Sequence, residues 1–237
     1  MPTGVPNSVR PLHHWTGRSV WIMSYELNAI ISLTIGIGPI IGWVRFHKID
    51  PAFLPFLLLL TIGFLNEVVS IILMKYGYTN IINFNSFKII ESVLLLWQFK
   101  NWKLFEKHRN LFYGLMFLFT ASWVGENIFI SLQGFNSYFI VAQSFILVLL
   151  SISMINIIVL ADSTPLFRNP VFLICLGLVI YFTYALLVEI FWVFGLNRSR
   201  QFRLHIYEIM SYISLLTNLI FAFAFLWIPM KLQYILR

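Results

Sequence analysis

Charge and cysteine are the two things this sequence has little of. Charged residues fill 11% of its 237 positions and apolar residues 59%, whereas a soluble domain is about a quarter charged. So few charges cannot clothe a water-exposed surface, which excludes a soluble globular domain and leaves an integral membrane protein. Cys175 is the only cysteine and lies in an apolar run, so no disulfide framework and no thiolate metal site is possible. The histidines are His13, His14, His47, His108 and His205, and only His205 falls near acidic residues inside apolar runs. That is too few for a membrane-embedded metal centre. Neither Gly-x-Ser-x-Gly nor His-Glu-x-x-His occurs, so nothing specific supports a catalytic assignment. The last apolar run has no lysine before Lys231, which excludes a rhodopsin-type retinal linkage. No cofactor, metal or catalytic residue is therefore expected. The net charge of +7 is not a nucleic-acid signature, because the basic residues fall mostly in short loops, as membrane topology requires.

What the sequence has is length of apolar run. A spanning helix needs about 20 mostly apolar residues. Seven stretches qualify, at approximately 24–44, 52–75, 84–100, 110–132, 138–161, 170–195 and 204–230. They predict an all-α fold, a bundle of seven transmembrane helices occupying 23–237. Residues 1–22 hold three prolines and no run of signal-peptide length, so they read as a disordered or interfacial extension. Met23 would also serve as a start. Pro39 is expected to kink the first helix, and Gly38 with Gly42 forms a GxxxG that permits close helix contact.

Loop charges give the orientation. Arg45 and Lys48, then Lys100, Lys103, Lys107 and Arg109, then Arg168, then Lys231 and Arg237 fall on one side, while the uncharged 131–137 segment falls on the other. The positive-inside rule puts the N-terminus outside and the C-terminus in the cytoplasm. Arg198, Arg200 and Arg203 oppose this, since the sixth loop is then external.

Depth counting with this topology gathers six of the nine acidic residues into the outer leaflet: Glu26, Glu67, Glu91, Glu126, Glu189 and Glu208. A carboxylate in hydrocarbon costs roughly 2.5–3.5 kcal/mol on insertion scales. Asn66, Asn127, Lys88 and His205 share the layer. The expectation is a shared, outward-opening polar cavity formed by Glu67, Glu91, Glu126, Glu189 and Glu208 with those residues. Arg203 or Arg200 would approach Glu189 or Glu208 as a lid, and Lys88 would pair with Glu91 or Glu67. The plainer alternative is that interhelical polar bonds fasten the bundle, at about 0.6 kcal/mol each. Lys88 with Glu91 and His205 with Glu208 repeat one spacing, a weak sign that helices one to three and five to seven are parallel repeats.

The stretch Asn85 to Glu91, NSFKIIE, with Asn66-Glu67 in helix two and Tyr207-Glu208 in helix seven, resembles a family of uncharacterised bacterial seven-helix membrane proteins. In layout the chain is also similar to the seven-helix sensor regions of bacterial histidine kinases. The resemblance implies the fold and a place in the bacterial cytoplasmic membrane, and no set activity. Three functions stay open. The first is binding or sensing of a small cationic or polyhydroxylated ligand, read by a membrane or cytoplasmic signalling partner. The second is transport of such a molecule or of protons. The third is lipid hydrolysis of the lysoplasmalogenase type. The lipid bilayer is the one certain partner, and no nucleic acid is expected.

Overall fold

The computed structural model describes residues 25–129, 134–161, 165–195 and 200–228. The N-terminal extension, Arg198, Lys231 and Arg237 lie outside the described residues, as does the side chain of Arg200. The architecture is all-α. The first apolar stretch forms α1 (Tyr25–Leu33) and α2 (Ile37–Val44), joined by a 3-10 turn over Thr34–Gly36. Pro39 explains the break: it lacks an N–H and crowds the carbonyl four residues back, at Ile35 in the middle of that turn.

The later helices are α3 (Leu54–Lys75), α4 (Ile81–Asn101), α5 (Arg109–Phe129), α6 (Ser137–Ala161), α7 (Pro170–Val193) and α8 (Arg200–Trp227). Their starts follow local chemistry. Asn169 Oδ1 accepts from the N–H groups of Val171 and Phe172, with Pro170 in the first helical position where its missing donor costs nothing. Asp50 caps the turn leading into α3 through the N–H of Ala52. The third helix begins at Ile81 rather than 84 because its polar head is internal. Asn83 donates to Ser70 Oγ at 3.0 Å, and Asn85 is buried.

Five helical stretches among the described residues are long and apolar enough to cross a membrane: Glu26–Val44, Pro51–Lys75, Ser137–Leu160, Pro170–Val193 and Phe202–Trp227. The chain is a multi-pass helical membrane protein. α4 and α5 are as long as spans but more polar. On α4 the polar side chains Asn85, Lys88, Glu91, Ser92 and Gln98 are buried by the other helices, so its composition reflects an interior position.

The helices close into a ring. α2 packs on α3 and α8, α3 on α4, α4 on α5 and α6, α6 extensively on α7, and α7 on α8. Gly38 and Gly42 lie against Leu60, Leu57 and the Phe225 ring. The GxxxG is thus used within the chain, where a missing Cβ lets α2 approach α3 and α8. At one end of the bundle Phe56, Leu57, Leu95, Leu96, Phe99 and Phe225 are fully buried, with the Phe56 ring 5.0 Å from Phe221 and 5.9 Å from Phe225. The Arg45 guanidinium binds the carbonyls of Phe225 and Ile228. It supplies donors and positive charge to the end of α8, where carbonyls lack helical partners.

Candidate functional site

α4 carries the centre of the site. Lys88 and Glu91 are three residues apart, so they share a helix face. Burying them together is tolerable only as a pair. Lys88 Nζ lies 2.7 Å from Glu91 Oε2, with the side chains 4% and 9% exposed. Gln143 of α6 donates to the same Oε2 at 3.0 Å. The Lys88 ammonium also lies over the rings of Tyr181, Phe84 and Phe182 at 5.4, 5.5 and 5.8 Å, and the Tyr181 hydroxyl is a hydrogen-bond neighbour. These contacts replace the water the ammonium has lost.

Beside the pair is a chamber of about 120 Å³ walled by α1, α3, α4, α7 and α8. Its polar lining is Ser32, Glu67, Glu91, Tyr181, Ser214, Thr217 and Asn218, and its floor is Leu59, Leu60, Leu95 and Phe221. Glu67 has the Ser32 hydroxyl as a hydrogen-bond neighbour and lies within electrostatic reach of Lys88. A chamber of this size holds several waters at about 10–15 Å³ each, or one molecule somewhat smaller than benzene, which occupies a cavity of about 150 Å³.

A second pocket, of about 210 Å³, is lined by Asn80, Phe84, Phe135, Glu189, Trp192 and Tyr207. Lys88 and Glu126 are both in electrostatic reach of Glu189, and the Ser137 hydroxyl is its hydrogen-bond neighbour. Glu189 Oε2 is buried and has no hydrogen-bond partner among the described residues.

The predicted cavity is therefore divided. Lys88 does pair with Glu91. Glu67 and Glu91 share the chamber, while Glu189 lines the second pocket. Glu126 lines neither: its carboxylate accepts from the N–H groups of Tyr138 and Phe139, at 3.2 and 2.7 Å. It closes the start of α6, where helical donors are free and negative charge is favoured. Glu208 lies 3.5 Å from His205, whose side chain is 56% exposed. Among the described residues Arg203 forms no ion pair with Glu189 or Glu208. The part of the lid expectation that rests on Arg203 is therefore not met among the described residues, and the side chain of Arg200 lies outside them. Asn127 donates to the carbonyl of Trp123 in its own helix, and the backbone carbonyl of Asn66 accepts from Asn83. Neither residue lines the two pockets.

Sequence reasoning missed the clamp made by Asn85. Its Nδ2 donates to the carbonyl of Gly134 and to Asn136 Oδ1, its Oδ1 accepts from the N–H of Asn136, and its own carbonyl accepts from Trp123 Nε1. It also missed Ser32 as a chamber residue. The available signal was an asparagine at the head of a buried helix, which must find partners when no water is present. Among the described residues no group of three or more His, Cys, Asp or Glu gathers as a metal site would require. No family model matches the chain, and no curated protein or solved structure matches it either.

Proposed function

We propose that the chain is a seven-span membrane protein, N-terminus outside and C-terminus in the cytoplasm, that binds a small cationic or hydroxylated molecule in the Glu67–Glu91 chamber and signals its presence to a partner. α4 and α5, each of 21 residues, measure about 31 Å at 1.5 Å per residue and would complete the count of spans. The observation that carries the reading is the chamber's wall. Five helical segments contribute to it, so an occupant touches most of the bundle at once, and its binding energy can bias their packing. Two carboxylates against one ammonium favour a cation. Tyr181, Ser32, Thr217 and Asn218 offer partners for hydroxyls.

The chamber floor argues against transport. Below Phe221 the side chains of Phe56, Leu57, Leu95, Leu96 and Phe225 are fully buried and apolar, and the buried amide of Gln98 beside them is already taken by the Phe56 N–H and the Ala52 carbonyl. Hydrolysis would use Glu67 and Glu91 as acid and base on one water, but Glu91 is already held by Lys88 and Gln143.

The experiment is thermal unfolding of the full chain in lipid nanodiscs with ethanolamine, ethylamine and glycerol in turn. At least one should raise Tm for the wild type and lose its effect in Glu67→Gln. If all three leave the wild type unshifted, the chamber is a structural polar core and the reading fails.

A further inference from the structure

The second pocket has a different chemistry from the chamber. Four of its lining side chains are aromatic, Phe84, Phe135, Trp192 and Tyr207, and one is the acid Glu189. Rings around a carboxylate attract an organic cation through their negative faces. Its acceptors are confined to Asn80, Glu189 and the Tyr207 hydroxyl, and the rest of its wall is ring, which offers a cation charge attraction but no partner for N–H donors. A quaternary ammonium has no donors and asks only for rings and charge. At about 210 Å³, the pocket is roomier than the cavity of about 150 Å³ that admits benzene.

Three further observations support a built site. One oxygen of the acid is unclaimed: Glu91 is held by Lys88 and Glu126 by the head of α6, whereas Glu189 has the Ser137 hydroxyl beside it and keeps a buried Oε2 with no hydrogen-bond partner among the described residues. The nearby ammonium of Lys88 is a competing charge, but it is 2.7 Å from Glu91 and largely offset by it. The walls are also fixed before any ligand arrives. Asn85 clamps the 134–136 segment, and Phe135 meets Phe84 edge to face at 5.6 Å. Tyr184 donates to the carbonyl of Ile206, and Phe191 meets Phe202 at 5.8 Å, which sets α7 against α8. Preformed walls lower the ordering cost of binding. Finally, Arg203 stands one helical turn before Tyr207 on the same face, within electrostatic reach of it, and has no ion pair among the described residues.

We infer that this pocket binds a quaternary ammonium group that carries a phosphate, a phosphocholine unit, with the ammonium among the rings beside Glu189 and the phosphate on Arg203. The unit has two sources, the headgroup of a lipid and a free phosphoester. The site shares no lining residue with the Glu67–Glu91 chamber, so the two can fail separately.

The test is calorimetric titration of the full chain in phosphatidylglycerol nanodiscs with choline, phosphocholine and 3,3-dimethylbutan-1-ol, the neutral isostere of choline. Choline should bind at least tenfold more tightly than the alcohol, and phosphocholine more tightly than choline. Trp192→Leu and Glu189→Gln should each weaken choline about tenfold. Arg203→Gln should bring phosphocholine down to the level of choline and leave choline unchanged. Trp97→Leu and Glu106→Gln, outside the pocket, should change neither. Trp192 is 40% exposed, so its replacement leaves the fold intact even if Glu189→Gln does not. Repeating the titration in phosphatidylcholine nanodiscs separates the sources. Lost binding there means the lipid headgroup already fills the site, and equal binding means a free ligand. Equal affinity for choline and the alcohol, no binding of either ammonium compound in phosphatidylglycerol, or indifference to both pocket variants would overturn the inference.

Discussion

Lys88 Nζ lies 2.7 Å from Glu91 Oε2, and neither side chain is more than 9% exposed. Each charge is tolerable in the bundle only because the other is there. Lys88→Met should therefore cost about 3–5 kcal/mol, as removal of one partner of a buried pair does. Lys88→Met with Glu91→Leu together should cost clearly less than the sum. A double-mutant cycle by detergent-induced unfolding checks it. Additive losses would mean the residues contribute independently.

Gly42 and Gly125 make opposite predictions. A Cβ at Gly42 meets Leu57 and the Phe225 ring, while at Gly125 nothing lies within 4 Å. Gly42→Leu should destabilise by about 1–3 kcal/mol through overpacking. Gly125→Ala should be neutral or stabilise by up to about 1 kcal/mol, since Ala is the better helix former. Unfolding midpoints decide. A Gly42→Leu protein of normal stability that has lost an oligomer would mean the glycine faces a second copy instead.

Glu126 distinguishes a helix cap from a ligand contact. Glu126→Ala removes the acceptor for two N–H groups at the head of α6 and should cost about 0.5–2 kcal/mol. Glu126→Gln, which keeps an acceptor, should cost less. Titration of choline and of the small amines should be unchanged in Glu126→Gln. A lost affinity at unchanged stability would put Glu126 in a binding site.

Orientation has its own test. Reporter fusions at Gln133 and Lys103 should read outside and inside. The reverse result would turn both pockets toward the cytoplasm.

The helical membrane character and most span positions could be read from the sequence, because burial in lipid demands long apolar runs whatever the helices do to one another. Lys88 with Glu91 was also legible, since three residues on a helix fix a shared face. The break at Thr34–Gly36 followed from Pro39. The fate of the other acids was not legible. Counting depth puts Glu67, Glu126, Glu189 and Glu208 in one layer, but depth does not give azimuth. Which way each faces depends on how the ring of helices closes. Tertiary structure turned Glu67 toward Ser32, placed Glu126 under the N–H groups of Tyr138 and Phe139, and left Glu189 among the rings of Phe84, Phe135, Trp192 and Tyr207. A run of residues sets how far along the membrane a carboxylate sits. Only packing between distant runs decides whether it meets a donor, a cation or an open pocket.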